Sequence, residues 1–168
     1  MEIEEDEEEN PISRKLKQIW FAHREQLKAA QRFVSDWSLV IDGIFNINKD
    51  RLPLLIAVGV LNSGHTFPIA FSYVPSESDE SLGFFWDSMK EECFIPDKDF
   101  PAPPPPWVVI ADQAGGVLSS VPKAWPKCRV QICDWHAVEA MKAKYRKSGY
   151  KKAEIDKIIK KEGLANFS

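Results

Sequence analysis

Apolar residues recur along the first half of the chain in patterns that predict one helix and three strands. Helical spacing over 12–33 predicts an amphipathic helix. Three runs rich in Val, Ile, Leu and Phe follow at 38–46, 52–61 and 66–74, and they are typical of strands. Their connections are short and include the turn sequence Asn62-Ser63-Gly64. We therefore expect an antiparallel meander, because parallel neighbours need a crossover of about a dozen residues or more.

The second half of the chain alternates helices with short strands. The predicted elements are a helix over 78–93, a strand over 107–111, a helix from Gly115 towards Lys123, a strand over 128–133, and helices over 134–145 and 151–162. Ser78 or Asp79 is a plausible cap for the first of these helices. The order β-β-β-α-β-α-β-α predicts an α/β fold with a mixed sheet.

Length and composition fit one intracellular domain with tails. The chain has 168 residues, of which 44% are hydrophobic, so it can bury a core. The sequence contains no apolar run of about eighteen residues, and its start is acidic, so neither a membrane span nor a secretory signal is predicted. Three cysteines without an export signal favour reduced thiols.

Charge is distributed unevenly along the chain. Residues 1–10 hold seven acids and no base, so residues 1–11 are predicted to be a disordered acidic tail. Residues 142–161 hold nine Lys or Arg against two acids. This basic segment suits phosphate contact, although a solvated helix face explains it equally well. The candidate nucleic-acid contacts are Lys142, Lys144, Arg146, Lys151 and Lys152.

Asp42 and Asp112 are the candidate metal ligands. Asp42 lies in the first meander strand, and Asp112 closes the strand that follows the crossover helix. If these two strands are parallel neighbours, the fold places the two aspartates side by side. Adjacent carboxylates repel each other unless a cation lies between them, and oxygen ligands favour Mg²⁺ or Mn²⁺. Such pairs support phosphodiester chemistry.

Each aspartate also has a structural interpretation. Asp112 is equally well placed to cap the helix that begins near Gly115. Asp42 is flanked by Ile41 and Ile44 in an apolar strand, where an unpaired buried charge is costly, so a partner or a metal is expected. The alternative is an edge strand with the carboxylate in solvent. Glu77 lies where acids suit the helix dipole, and its approach to the metal site is a further alternative.

Several segments resemble the Mutator-like element (MULE) transposases. The matching segments, which span roughly 38–147, are Ile41-Asp42-Gly43, Leu52 to Val60, Gly64, Glu77, Phe84-Phe85-Trp86, Ile110-Ala111-Asp112-Gln113, Ala124-Trp125-Pro126 and Cys133-Asp134-Trp135-His136. The resemblance implies a DDE-type DNA strand transferase in the nucleus, on a ribonuclease-H-like fold. By position, Asp42 and Asp112 match the first two acids and the divalent metal ligands. Cys133 and His136 match the C-x-x-H signature.

The resemblance also implies the domain organisation and an incomplete site. The organisation is a tail at 1–11, an N-terminal helix at 12–36, a MULE-like catalytic core at 37–147 and a basic C-terminal helix at 148–168. In the family the third acid follows an insertion beyond the C-x-x-H signature, but only 32 residues follow His136 here. Neither Glu139, Glu154 nor Glu162 has a matching context. The expectation is a copy truncated at its C-terminus and inactive, with weak, non-specific DNA contact.

Two further interpretations remain beside that of a transposase. The chain could instead be a non-catalytic module on the same fold that binds nucleic acid or protein. It could also be another ribonuclease-H-like nuclease whose remaining acidic residue lies within this chain. Zinc is not predicted, because Cys133 and His136 supply only half of a four-ligand site. Cys128 and His65 would complete such a site only by a coincidence of folding. We expect Cys133 at a strand end and His136 on the first turn of a helix.

Overall fold

A computed structural model describes residues 17–61, 63–96, 101–112 and 115–164 of the chain. These residues form six strands and five helices, which gives the mixed α/β composition that was expected. The elements are β1 Ile19–Phe21, α1 Arg24–Phe33, β2 Val34–Ile44, β3 Leu54–Leu61, β4 Thr66–Tyr73, α2 Asp79–Cys93, β5 Val108–Ala111, α3 Gly115–Ala124, β6 Arg129–Ile132, α4 Asp134–Lys147 and α5 Lys152–Lys161. The predicted acidic tail lies outside the described residues.

The six strands form one mixed sheet in the order β1-β4-β3-β2-β5-β6. Strands β2, β3 and β4 are antiparallel neighbours, so the predicted meander is confirmed. Strand β5 pairs parallel to β2, and β6 pairs parallel to β5. The predicted adjacency of the first meander strand and the strand after the crossover helix is therefore confirmed. It brings the carboxyl ends of β2, β5 and β6 to one edge of the sheet.

One face of the sheet packs against the helices and forms the main core. Along β3, buried and half-buried residues alternate, as the two-residue period of a strand requires. Helices α2 and α3 each turn an apolar side towards the buried face. The core includes Leu39, Ile41, Leu55, Ala57, Val109 and Ala111 from the strands, and Leu82, Phe85, Trp86, Met89, Val117 and Val121 from the helices.

The predicted helix over 12–33 is wrong at Ile19–Phe21, and its residues 12–16 lie outside the described residues. Residues Ile19–Phe21 form strand β1, which pairs antiparallel with the edge of β4. Three consecutive residues of high β propensity gain ladder hydrogen bonds there, and Phe21 stacks on Phe71 with ring centroids 5.5 Å apart. The helix begins only after His23, whose carbonyl accepts from the amides of Gln26 and Leu27.

Most other boundaries differ from the prediction by only one or two residues. Strand β2 differs more, because it starts at Val34 and pairs there with Leu61 before its register shifts. The predicted cap at Ser78 is confirmed, since its side chain accepts from the amide of Ser81. The break between the last two helices is confirmed as well, and Gly149 provides it with a φ of 89°.

Helices α4 and α5 share a small core of their own. Val138 of α4 packs with Ile155 and Ile159 of α5, and this cluster is separate from the main core. An amphipathic helix pair of this kind needs only one apolar stripe from each partner, which leaves its other faces to charged residues. Among the described residues, no helix combines the length and the apolar character that crossing a membrane would require.

Candidate metal site at the carboxyl ends of the parallel strands

The strand register places Asp42 and Asp112 at the same level of neighbouring strands. Ile41 of β2 is paired with Ala111 of β5, and the two aspartates are the next residues along each strand. Neighbouring strands lie about 4.8 Å apart. Side chains alternate along a strand, so the aspartates both leave the sheet on the face opposite to Ile41 and Ala111. The two aspartates therefore follow paired residues of neighbouring strands, and their joint role as metal ligands stays a prediction.

Asp42 is exposed, although its neighbour Ile41 is buried. The expectation of a buried charge is therefore wrong, because the side chain leaves the sheet on its less covered face. The alternative is right about the exposed carboxylate but wrong about the edge strand, since β2 lies between β3 and β5. One carboxylate oxygen, Oδ1, accepts a hydrogen bond of 2.9 Å from the amide of Gly43. This bond holds one oxygen and leaves the other available to a ligand.

Asp112 is half-buried and directly follows the last residue of β5. Helix α3 begins at Gly115. Whether Asp112 caps that helix depends on Gln113 and Ala114, which lie outside the described residues, so the capping interpretation stays a prediction.

The C-x-x-H pair lies at the same edge of the sheet. Cys133 follows β6, and its amide donates a hydrogen bond of 2.6 Å to the carbonyl of Ala111. Cys133 is the N-cap residue of α4, and His136 lies on the first turn of that helix, as predicted. The Nδ1 atom of His136 is buried and has no hydrogen-bond partner among the described residues. The His136 ring packs edge to face on Trp135, with centroids 4.8 Å apart.

Glu77 also reaches this edge of the sheet, as one of the two interpretations of this residue predicts. Its Oε1 atom lies 3.0 Å from the point that a Cβ atom on Gly43 would occupy. Burial raises the pKa of the Glu77 carboxyl, and the negative charges of Asp112 and then Asp42 raise it further. The direction of the predicted strands is the feature of the sequence that indicates this position of Glu77. In a three-strand meander the first and third strands run the same way, so residues after β4 emerge at the edge where Asp42 lies.

Several contacts join α2 to α3, the helices that follow Glu77 and Asp112. Asp79, in the first turn of α2, pairs with Ser119 and Lys123 of α3. These contacts lower the pKa of the Asp79 carboxyl, with the hydrogen bond from Lys123 as the largest cause. Deeper in the layer, Trp86 Nε1 donates a buried hydrogen bond of 2.8 Å to Ser120 Oγ. These contacts hold the helix that follows Glu77 against the helix that follows Asp112.

The donor set fits a hard divalent cation better than zinc. Among the described residues, no three His, Cys, Asp or Glu side chains are already arranged to hold a metal ion. Three carboxylates at one edge supply oxygen donors of the kind that Mg²⁺ and Mn²⁺ prefer. His65 lies in the turn between β3 and β4, where its Nδ1 is 3.0 Å from Ser63 Oγ. Ligation by His65 and Cys128 together with the C-x-x-H pair finds no support in this arrangement.

The five candidate nucleic-acid contacts lie on α4 and at the start of α5, and they differ in availability. Lys142 is bound to Glu139 at 2.8 Å, and its side chain is only 17% exposed. Arg146 lies 3.8 Å from the same carboxylate. Lys144, Lys151 and Lys152 are exposed. The exposed lysines are therefore better placed than Lys142 to contact a phosphate.

Comparison with known proteins establishes the family. A sequence model of the MULE transposase domain matches residues 38–140, which is more than half of the chain. The chain therefore belongs to the MULE transposase domain family, and its function derives from that of a transposase. No curated protein matches the chain. The matched region runs from β2 into α4 and contains Asp42, Glu77, Asp112 and the C-x-x-H pair.

The raised pKa of Glu77 predicts how stability depends on pH without metal. The folded protein holds this proton more tightly than the unfolded chain, whose pKa is near 4.5. The resulting stabilisation is complete below that value and is lost as pH rises through the folded pKa. We expect Glu77→Gln to remove this loss. The free energy of unfolding of the variant should therefore rise relative to that of wild type between acid and neutral pH. The gain should stay below about 1 kcal/mol, because solvent screens a half-buried group. Urea unfolding at several pH values measures it, and parallel profiles would contradict the prediction.

Proposed function

We propose that this domain holds a divalent metal ion, Mg²⁺ or Mn²⁺, through Asp42 and Asp112 and carries out phosphodiester chemistry on DNA. The observation that carries the proposal is the parallel register of β2 and β5, which puts the two aspartates side by side at the carboxyl ends of their strands. Ligand and catalytic sites of open α/β sheets gather at such strand ends. Membership of a transposase family supports DNA as the substrate.

A ribonuclease-H-like, DDE-type assignment is part of this proposal. It is supported by the antiparallel unit of three strands, followed by two parallel strands with helices between them. A divalent ion at such a site activates water or a hydroxyl and neutralises charge on the scissile phosphate. The protein's part is to hold the carboxylates in place. Here the amide of Gly43 holds Asp42, and the bond from Cys133 to Ala111 fixes the strand end before Asp112.

Metal binding tests the proposed site. We expect Asp42→Asn and Asp112→Asn each to weaken Mn²⁺ binding at least about tenfold, because each removes one charged ligand, a loss of about 1.4 kcal/mol or more. Isothermal titration measures the affinity. Asp50→Asn is the control, since Asp50 is an exposed loop residue with the same change of charge. If all three variants bound Mn²⁺ as wild type does, the ion would bind elsewhere and the proposal would fail.

We further propose that the exposed basic residues of α4 and α5 hold the DNA backbone. Lys144, Lys151 and Lys152 are exposed, and phosphate contacts by such residues act without regard to base sequence. Residues 142–161 carry a large excess of positive charge, which favours approach of a polyanion. A protein-binding role for these helices has no comparable support in the structure.

The salt dependence of DNA binding tests this contact. We expect a Lys151→Gln/Lys152→Gln double variant to bind duplex DNA more weakly than wild type. The negative slope of log K against log salt should become less steep by about two, since each phosphate contact contributes about 0.9 to its magnitude. Fluorescence anisotropy with a labelled duplex measures both quantities. Lys142→Gln is the control, because Glu139 already neutralises Lys142, and it should change the slope less. Equal slopes for the double variant and wild type would place the DNA on another surface.

A further inference from the structure

Two exposed aromatic residues follow the strand ends at the edge of the sheet that carries Asp42 and Asp112. Phe45 comes directly after the last residue of β2, and Trp135 lies in the first turn of α4, which follows β6. Each of these two residues is 52% exposed. Single exposed apolar residues are ordinary on protein surfaces, so the shared position of the two rings is what needs an explanation.

The Phe45 ring lies beside the strand end that carries Asp42. Its Cε2 atom is 3.5 Å from the point that a Cβ atom on Gly43 would occupy. The amide of Gly43 is the group that donates to Asp42 Oδ1. Asn46 turns the chain directly after this ring, since it adopts a left-handed conformation with a φ of 60°. The Phe45 ring is therefore next to the residue that binds the Asp42 carboxylate.

Trp135 lies beyond the strand end that carries Asp112, on the side of β6. The amide of Cys133 donates to the carbonyl of Ala111, which joins the start of α4 to the strand end before Asp112. Phe45 and Trp135 thus follow β2 and β6, the two strands that flank β5. The ends of β2 and β6 are two strand spacings apart, about 10 Å. About three stacked bases of a DNA strand, at about 3.4 Å each, cover that length.

The surroundings of the two rings favour a nucleobase over a protein as the partner. A protein seated on both rings would also cover the exposed carboxylate of Asp42, and burial of a charge is costly. A base contacts an aromatic ring with its flat face and leaves the carboxylate in water. Helix α4 also carries the exposed Lys144, and exposed lysines begin α5. Basic residues for the phosphates and aromatic rings for the bases are the combination that binds single-stranded nucleic acid.

We propose that Phe45 and Trp135 stack on unpaired bases of a DNA strand that crosses this edge of the sheet. The inference rests on the proposed function for its DNA substrate, and it adds that the strand at the site has unpaired bases. In an intact duplex the base faces are covered by their neighbours, so stacking on a protein ring requires a base that has left the stack. Every base has such a face, so the contact positions the strand with little preference for sequence.

A strand with abasic sites separates base stacking from phosphate contact, because it keeps every phosphate. The probes are a labelled single-stranded oligothymidylate and an abasic strand of the same length, both measured by fluorescence anisotropy with Mg²⁺. We define the base preference as the affinity for the first strand divided by the affinity for the second. We expect wild type to have a base preference of about tenfold or more, as stacking on aromatic residues provides.

Three variants test whether the rings provide this preference. Trp135→Leu keeps an apolar side chain without a ring, and we expect it to lose most of the base preference, as should Phe45→Leu. Trp135→Phe keeps a ring and should retain most of it. Trp107→Leu is the matched control, because Trp107 is 66% exposed but precedes β5 at the opposite edge of the sheet. Its base preference should stay within about twofold of wild type.

The stacking contact and the metal site fail in different ways. If wild type has no base preference, or if Trp135→Leu loses no more of it than Trp107→Leu, stacking at this edge is overturned, whatever Asp42→Asn does to Mn²⁺ binding. If Asp42→Asn leaves Mn²⁺ binding unchanged while Trp135→Leu loses the base preference, the metal site fails and the stacking contact stands. Analytical ultracentrifugation tests a second copy of the chain as the partner. A dimeric wild type, a monomeric Trp135→Leu and an unchanged base preference would make the rings an interface between copies and overturn stacking.

Discussion

Gly116→Ala is expected to destabilise the protein by about 2–3 kcal/mol, although alanine is the better helix former. The new Cβ atom would lie 1.8 Å from the backbone oxygen of Glu77 and 2.9 Å from its carbonyl carbon. A backbone group cannot rotate away, so either α3 or the loop before α2 must move. Overpacking of this kind costs about 1–3 kcal/mol, and an overlap with backbone belongs at the upper end. Helix propensity returns at most about 1 kcal/mol.

Gly83→Ala provides the matched control for that substitution. Gly83 lies within α2, and a Cβ atom there would meet no atom within 4 Å. The same chemical change should therefore stabilise the protein by about 0.5–1 kcal/mol. Urea unfolding followed by circular dichroism compares the two variants. If Gly116→Ala were as stable as Gly83→Ala, the loop of Glu77 would not be packed on α3, and the position of Glu77 at the site would lose its support.

The fold was largely predictable because each signal is local. The meander follows from three β-like runs and short turns, and β5 lies beside β2 because a crossover helix separates them. The miss at Ile19–Phe21 has a non-local cause. These residues fit a helical period as well as a strand, and pairing with the edge of β4 decides between the two. The residues near Trp20 in sequence do not indicate that an unpaired edge of β4 is available, because β4 lies far along the chain.

The site was predictable where two strand ends define it, but less so where a loop enters it. Asp42 and Asp112 could be paired from topology alone, since the register follows from parallel neighbours. The position of Glu77 depends on the close approach of its side chain to Gly43 and of its backbone to Gly116. In the sequence, only these two glycines indicate that approach. A glycine that leaves room for a distant loop looks the same in sequence as one that serves a turn. The exposure of Asp42 was missed because an apolar strand has one covered and one open face.

Trp86→Ala is expected to lower the free energy of unfolding by about 3–5 kcal/mol, which is the largest effect expected of any single substitution in this protein. Trp86 is 1% exposed and lies edge to face on Trp125, with ring centroids 5.3 Å apart. Its removal leaves a cavity between α2 and α3, and Ser120 Oγ loses the hydrogen bond from Trp86 while it still donates to the carbonyl of Val117. Trp107→Ala is the control, because Trp107 is 66% exposed, and it should change stability by no more than about 0.5 kcal/mol. Circular dichroism is the measurement, since the fluorescence changes when a tryptophan is removed.

Trp86→Phe removes the hydrogen bond to Ser120 together with part of the buried ring, and it tests whether packing between α2 and α3 affects the metal site. The variant keeps an aromatic ring in the layer but loses the donor to Ser120, so we expect a loss of about 1–3 kcal/mol. Trp86 packs in the core with Ser120 and Trp125, so Mn²⁺ affinity should stay within about twofold of wild type. Gly116→Ala, in contrast, would displace either the loop of Glu77 or the start of α3, which follows Asp112, and should lower both stability and affinity. If Trp86→Phe weakened Mn²⁺ binding as strongly as Gly116→Ala, metal affinity would follow the general stability of the domain, and the carboxylates would not be positioned by the local contact of Glu77 with α3.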